Sequence, residues 1–373
     1  MRRRRFLQQL GSGAVIAGAA LGSACSRNDS AAAAGSAAAT AFKPVKWKMV
    51  TTWPKNFPGL GTSANLLGEL ITRMSGGRIQ VKVYGAKELV PAFGVFDAVS
   101  RGTVQMGHGA AYYWKGKSEE AQFFSAVPFG LTADEMDAWL HHGGGMELWE
   151  ETYRPFGLVP LAAGNTGVQM AGWFNREINS VDDLKGLKMR IPGLGGEVLK
   201  RAGGLPVSLP GGELFTSLQS GAIDATEWVG PYNDLAFGLY KAAKYYYYPG
   251  WHEPGTTLEC IVNRKAFEAL PEDLQAIVRQ AARVVNQDLL SEYIARNNEA
   301  LKTLVEEHHV AVRPLPEEVL QRLRKLSDEV VAEIAARSQR AQRIYDSYHA
   351  FRQQVIAWSN ISERAYLNAR GSG

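Results

Sequence analysis

The stretch Leu187-Lys188-Met189-Arg190-Ile191-Pro192-Gly193, read together with Ala222-Ile223-Asp224-Ala225-Thr226-Glu227-Trp228-Val229-Gly230-Pro231, decides the architecture. Each is a short apolar run broken by a Gly/Pro turn, the pattern of a buried parallel strand that stops at a loop. Each also ends on a charge that a buried strand has no use for: Arg190 in the first, Glu227 beside Trp228 in the second. In an α/β protein the carboxyl ends of strands face the crevice where ligands bind. A guanidinium placed there offers a planar fork that matches a carboxylate through two parallel hydrogen bonds. Arg190 is therefore a candidate anchor for a small carboxylate, with Glu227 helping to hold a cation beside it. The plainer alternative is that Arg190 and Glu227 pair with each other or with neighbours, and these residues alone do not choose.

Outward from this stretch the same alternation continues. Val45 to Val50 alternates like a first strand, helical spacing follows from Leu66 to Met74, and Ile79 to Tyr84 is a second strand. A helix from about Phe93 to Arg101 leads into Val104 to His108, so the order β-α-β-α-β implies an α/β fold with a parallel sheet. Tyr112, Tyr113 and Trp114 follow at a strand end, either as core filler or as one wall of a pocket. Leu158 to Gly164 is another apolar strand, and the pattern starts afresh near Asn165-Thr166-Gly167-Val168-Gln169-Met170, where the chain is expected to enter a second domain. Asn165 and Gln169 would then sit at the mouth of the cleft, where an amide can donate to a carboxylate or lend its carbonyl to a hard cation. They can equally satisfy turn backbone.

Tyr245 to Tyr248 forms an aromatic strand, Pro249 to Gly255 a turn holding His252 and Glu253, and Thr256 to Asn263 one more strand returning to the first domain. Glu253 would lie at that second crossing, facing the same cleft. From Pro271 onward the spacing is almost wholly helical, in segments 274–286, 289–304, 316–334 and 344–358. That exceeds what one small domain needs as cover, and packing against another subunit is a natural use for it.

Composition narrows the function. The formal charge of +4 is local: residues 1–43 hold six Lys/Arg and one acid, and the remainder carries 35 bases against 36 acids, so no nucleic-acid surface follows. Arg2 to Arg5 before Phe6-Leu7 and a modestly apolar Gly/Ala-rich stretch have the layout of an export signal resembling the twin-arginine type. Cys25 stands close to a lipid-attachment pattern, although Leu21 lies one position too far upstream; an Ala/Gly/Ser tether follows. Cys260 is the one thiol left in the body, in an apolar run that suits an inert buried residue.

None of the seven histidines falls in a His-Glu-x-x-His or Cys-x-x-Cys arrangement, and no phosphate-cradling glycine loop occurs. The run His141-His142-Gly143-Gly144-Gly145 is similar to the oxyanion loop of some esterases, but the Gly-x-Ser-x-Gly elbow that would accompany it is missing from the body. The inventory favours a binder over an exported hydrolase.

The runs Leu187 to Gly193 and Gly221 to Pro231 resemble the extracytoplasmic solute receptors of tripartite ATP-independent periplasmic (TRAP) transporters. Asn165 to Met170, Tyr245 to Tyr248 with Pro249-Gly250-Trp251, and Ala111 to Trp114 resemble the branch that binds 2-oxo and 2-hydroxy monocarboxylates such as pyruvate and lactate, and the likeness covers the body from about Val45 to the carboxyl terminus. The resemblance implies two α/β lobes hinged by crossing strands: 44–166 with about 254–295, and 167–253 with about 296–373. It implies that Arg190 pairs with the substrate carboxylate and that Na+ or Ca2+ is held by Gln169, Glu227 and the Trp228 backbone carbonyl, with Glu253 a further candidate. Substrate contacts are expected from Asn165, Tyr112, Tyr113 and the Trp228 ring. It also implies delivery to a TRAP membrane permease, no enzyme activity, a periplasmic location and a homodimer through the carboxyl-terminal helices. A receptor for another organic anion, a dicarboxylate or an aromatic acid, is the alternative within this class.

Overall fold

In a computed structural model of the chain, residues 43–371 are described. The export signal, the tether and Cys25 lie outside the described residues. The alternation read from the sequence appears as β1 (Val45–Thr51), α1 (Leu60–Met74), β2 (Ile79–Tyr84), α2 (Val95–Ser100) and β3 (Met106–Gly109), with β1 parallel to both β2 and β3. Helices α3 (Ala133–His142) and α4 (Gly145–Tyr153) then lead to β4 (Leu158–Asn165). The run His141 to Gly145 is the joint between α3 and α4: Gly143 caps the first helix and Gly144 adopts φ 86, so the glycines serve a tight reversal and not an oxyanion loop.

The chain next builds a second sheet from β5 (Gly172–Phe174), β6 (Lys188–Arg190), α5 (Gly193–Arg201), β7 (Leu205–Val207), α6 (Leu214–Gln219), β8 (Ala225–Thr226), α7 (Pro231–Phe237) and β9 (Tyr245–Tyr248). It then returns to the first sheet as β10 (Thr257–Asn263), which inserts antiparallel between β3 and β4. The order of the first sheet is thus β2-β1-β3-β10-β4, parallel through the β-α-β-α-β run as the alternation implied and antiparallel where β10 enters, so the sheet is mixed. A crossing strand that comes back from the other sheet enters from the opposite end, and local periodicity does not carry that information.

Beyond β10 come α8 (Arg264–Glu268), α9 (Glu272–Glu306), β11 (Ala311–Pro314), α10 (Glu317–Ala335), α11 (Gln339–Ile361) and α12 (Glu363–Arg370). Two expectations are corrected here. Segments 274–286 and 289–304 are one continuous helix of 35 residues, and the stretch after Pro271 contains a strand, β11, which adds parallel to β9 at the edge of the second sheet. Asn286, the last residue of the first segment, is a buried tether inside α9, accepting from Gly164 N–H at 2.9 Å and donating to Asp137 at 2.7 Å.

Helix α9 serves both sheets. Leu274, Val278, Ala281, Ala282 and Val285 join α1 and the first sheet in one apolar cluster, while Leu289, Tyr293 and Leu304 join the aromatic cluster under the second sheet. Helix α10 lies against α5, whereas α11 turns back onto the first-sheet side, where Tyr348 Oη accepts from Leu131 N–H at 2.8 Å and Ser347 accepts from Trp139 at 3.1 Å. The carboxyl-terminal helices are therefore shared between the lobes.

One buried group in this core gives a test of stability. Glu259 on β10 is fully buried; Trp114 Nε1 donates to one of its oxygens and the other has no partner. Burial pushes its carboxyl from 4.5 up to about 7. The folded protein then holds a proton that the unfolded chain releases above about pH 4.5, so stability falls as pH rises towards 7 and levels off beyond it, by up to roughly 3 kcal/mol. Glu259→Gln should flatten that part of the curve. Urea midpoints measured from pH 5 to 8 check it, and parallel curves for the two proteins would contradict it.

Candidate functional site

The site grows from the ends of β6 and β8, which run parallel in a register that sets Arg190 opposite Thr226. Both strands stop at the same level. Arg190 and Glu227 therefore emerge side by side into the gap between the sheets, with the Glu227 N–H donating to the Arg190 carbonyl at 3.2 Å. Both side chains are about 1% exposed. Arg190 Nη1 donates to Glu227 Oε1, Nε to the Leu209 carbonyl at 3.0 Å, and Nη2 to the Tyr113 hydroxyl at 3.2 Å. Its guanidinium also stands 5.1 Å from the centre of the Trp228 ring. Burial, the largest single influence, opposes the charge on Arg190, but Glu227 with Tyr113, Tyr112 and Glu253 together outweigh it and the group stays protonated. The pairing of Arg190 with Glu227 is thus real. It is also a liability unless every remaining lone pair is met, because two buried ions seldom recover their lost hydration from each other alone.

Two crossing segments close the gap from behind. They are stitched together by Thr166 N–H to the Thr256 carbonyl at 3.0 Å, Gln169 N–H to the Glu253 carbonyl at 3.2 Å, and Gly250 N–H to the Gln169 carbonyl at 2.8 Å. Position 250 must be glycine, since a Cβ there would lie 2.3 Å from the Gln169 carbonyl oxygen. Gln169 Nε2 donates to Glu253 at 2.8 Å and to Thr166 at 3.1 Å, and the Thr256 hydroxyl donates to the same Glu253 oxygen. Glu253 is pushed up to about 7 by burial and by the Glu227 charge.

Glu227, Glu253 and His252 bring one ligand atom each within 4.8 Å of one another, all buried. His252 Nε2 stands 3.5 Å from Glu227 Oε2. His252 was read in the sequence as part of a turn, and the only signal for it was its place beside Glu253. Gln169 Oε1 and Glu227 Oε2 are buried with no hydrogen-bond partner. Such bare amide and carboxylate oxygens suit a hard cation such as Na+ or Ca2+, and the donor set fits that group.

From the first-sheet side, Tyr112 and Tyr113 follow β3 and face this cluster, their rings in edge contact at 4.8 Å. Burial pushes the Tyr113 hydroxyl up to about 12 and raises that of Tyr112, so both remain neutral donors. Trp53, Leu60, Trp228, Val229 and Leu258 line, with Tyr112, Tyr113, Thr166 and Gln169, a cavity of about 10 Å³, room for about one water-sized group. Asn165 is not brought to this cavity. Its Oδ1 accepts from Gly167 N–H at 2.9 Å and its Nδ2 reaches Thr257 at 3.4 Å, so it braces the crossing segments. Two ion pairs span the rim, Lys115 to Glu197 at 2.9 Å and Lys87 to Glu213 at 3.0 Å. Partly exposed, each adds no more than ~1 kcal/mol to closure.

Two α/β lobes joined by crossing segments, shut on a buried arginine and a group of bare oxygens, define a two-lobe periplasmic binding protein. The chain belongs to the bacterial extracellular solute-binding proteins of family 7, whose model matches residues 49–338. Membership places the protein in the periplasm and makes it a solute receptor. It is 43% identical over 328 residues to the monocarboxylate 2-oxoacid-binding periplasmic protein of Nostoc sp. strain PCC 7120, covering 88% of this chain and 90% of that one. Among solved structures it is similar to a TRAP periplasmic solute-binding protein from Pseudoalteromonas atlantica T6c with bound sodium and pyruvate, at TM-score 0.85 and 45% identity over 87% of this chain and 99% of that one. A counterpart from Colwellia psychrerythraea with bound calcium and pyruvate matches at TM-score 0.85 and 44% identity, over 88% of this chain and 100% of that one.

Proposed function

We propose that the protein is the extracytoplasmic receptor of a TRAP transporter. It captures a small 2-oxo or 2-hydroxy monocarboxylate together with Na+ or Ca2+ and delivers it to the membrane permease. The observation that carries this reading is the buried Arg190–Glu227 pair set beside the unpartnered oxygens of Gln169 and Glu227. Arg190 takes the carboxylate. Gln169, Glu227 and the Trp228 carbonyl hold the cation, with Glu253 and His252 behind them, and the cation in turn polarises and fixes the 2-oxo or 2-hydroxy oxygen. Tyr112, Tyr113 and the Trp228 ring exclude water, which strengthens each of these attractions. Asn165 acts through the frame of the crossing segments. The similarity to a monocarboxylate 2-oxoacid-binding protein and to two structures with bound pyruvate supports a short monocarboxylate over a dicarboxylate or an aromatic acid, and the role is that of a receptor with no catalytic step.

The lobes divide as 44–166 with about 254–295 and 167–253 with about 296–373, except that α11 packs back towards α3 and α4. Trp358, Ile361, Tyr366 and Leu367 expose between 50% and 74% of their surface on α11 and α12, which supports a homodimer built on these helices. The arginine-led amino terminus serves as a twin-arginine-like export signal, with Cys25 a candidate for lipid attachment.

Isothermal calorimetry tests the assignment. Pyruvate and lactate titrated in Na+ or Ca2+ should bind with micromolar or better affinity, and binding should collapse in an organic-cation buffer with chelator. Affinity that ignores the cation would remove the bridge from the proposal, and tighter binding of dicarboxylates would replace the ligand class.

A further inference from the structure

The ligand proposed above has two different ends, and the cavity is lined by two kinds of group: Gln169, Thr166 and the tyrosine hydroxyls are polar, and Trp53, Leu60 and Leu258 are apolar. In a 2-oxo monocarboxylate the two oxygen-bearing groups sit on adjacent carbons, so the remaining substituent points away from both. Gripped at those two groups by Arg190 and a cation, the molecule turns that substituent away from both, where an apolar group of the lining would meet it.

Trp53 is the largest of these apolar groups, and it is held firmly. Its indole is about 2% exposed and stands 6.1 Å from the rings of both Trp228 and Tyr113. Its backbone is pinned as well, since the Trp53 carbonyl accepts from Ala86 N–H at 2.8 Å and from the Thr51 hydroxyl at 3.0 Å. The indole N–H donates to His108 Nδ1 at 2.8 Å, and His108 Nε2 stands 3.1 Å from the Ala163 carbonyl. A carbonyl only accepts, so Nε2 carries the hydrogen and Nδ1 offers the lone pair that the indole needs. His108 is fully buried on β3, where burial lowers its pKa to about 4 and keeps it neutral. The tautomer is thereby fixed by the first sheet, and the sheet fixes the indole plane.

We propose that Trp53 determines specificity by limiting the size of the ligand's third substituent, and that His108 is the positioning residue that keeps this wall from swinging aside. The inference rests on the receptor reading and names the part of the site that sets chain length. A rigid indole admits a methyl group and excludes a branched one. Without its partner on His108, the ring would carry an unmet N–H and would rotate to find water, which opens the apolar end.

The test is a calorimetric series with pyruvate, 2-oxobutanoate and 2-oxo-3-methylbutanoate at saturating cation, on the wild type and on Trp53→Leu, His108→Phe and His108→Asn. The wild type should prefer pyruvate to the branched acid by about ten-fold or more, the discrimination that one or two methyl groups give in a fitted apolar pocket. Trp53→Leu should cut that ratio about ten-fold, and the ratio divides out any change in the affinity for pyruvate itself. His108→Phe should shift the ratio the same way. His108→Asn places an acceptor oxygen near the site of Nδ1 and should restore most of the wild-type ratio, which a merely structural role for His108 would not produce. If the wild type binds no 2-oxo acid under any cation, the receptor reading fails and this inference falls with it. If the wild type binds but Trp53→Leu, shown to be folded by its thermal transition, keeps the wild-type ratio, the wall is disproved and the receptor reading stands. Should His108→Phe not fold, Trp53→Leu alone decides.

Discussion

Arg190→Ala is expected to abolish binding of the carboxylate ligand. Truncating one member of a buried, hydrogen-bonded charge pair costs about 2–5 kcal/mol, enough to move a micromolar affinity beyond ready measurement. The same substitution strands Glu227 in the interior, and a buried pair broken on one side loses ~3–5 kcal/mol of folding stability. Loss of ligand and loss of fold must therefore be separated. The double variant Arg190→Met, Glu227→Gln removes both charges together, keeps similar volumes and should fold, yet should still fail to bind. Calorimetry beside a thermal unfolding curve reads both properties, and micromolar binding retained by either variant would show that the anchor lies elsewhere.

Glu227→Gln should produce the second large effect, on the cation. Arg190 and Glu227 pair directly with each other. A monocarboxylate entering alone would compete with Glu227 for the guanidinium and leave that carboxylate unpaired. When Na+ enters with it, the added pair has no net charge, and the order Arg⁺, carboxylate, cation, Glu⁻ alternates throughout. Ca2+ brings one charge more, and Glu253 stands close enough to answer it. Replacing Glu227 by glutamine keeps one oxygen ligand but deletes the charge, so ligand affinity at low Na+ or Ca2+ should drop by roughly one to two powers of ten, about 1.4 kcal/mol each. Raising the cation concentration should recover part of it. A variant whose half-saturating cation concentration equals that of the wild type would take Glu227 out of the cation's grip.

Much of this site was legible because its key charges interrupt apolar runs. Arg190 and Glu227 stand out at strand ends where a buried strand would have no ion, and their register in parallel neighbours brings them together. Gln169 and Glu253 were marked by the two points where the alternation starts afresh. Other features depend on contacts distant in sequence and left no local trace. The antiparallel entry of β10 is one, set by the chain's return from the second sheet. The pairing of β11 with β9 is another, since Ala311 to Pro314 carries neither the length nor the apolar pattern of a buried strand. Asn165 had the right residue type at the right crossing, but its side chain is spent on Gly167 and Thr257. Trp53 and His108 lie 55 positions apart, and no spacing rule couples an indole to an imidazole over that distance.

Helix α9 bears on how the cleft can open. Its first half is bound into the core of one lobe and its second half into that of the other, with Tyr293 donating to Asn233 at 2.8 Å beyond the midpoint. A rod anchored at both ends cannot slide, so separating the lobes must flex it near the turn from Asn286 to Leu289. The energy stored in that flexure would act as a spring loaded by departure from the shut form. Small angular excursions should then be quick and self-reversing, and the time for which a captured solute stays enclosed would be governed by the stiffness of this one lever.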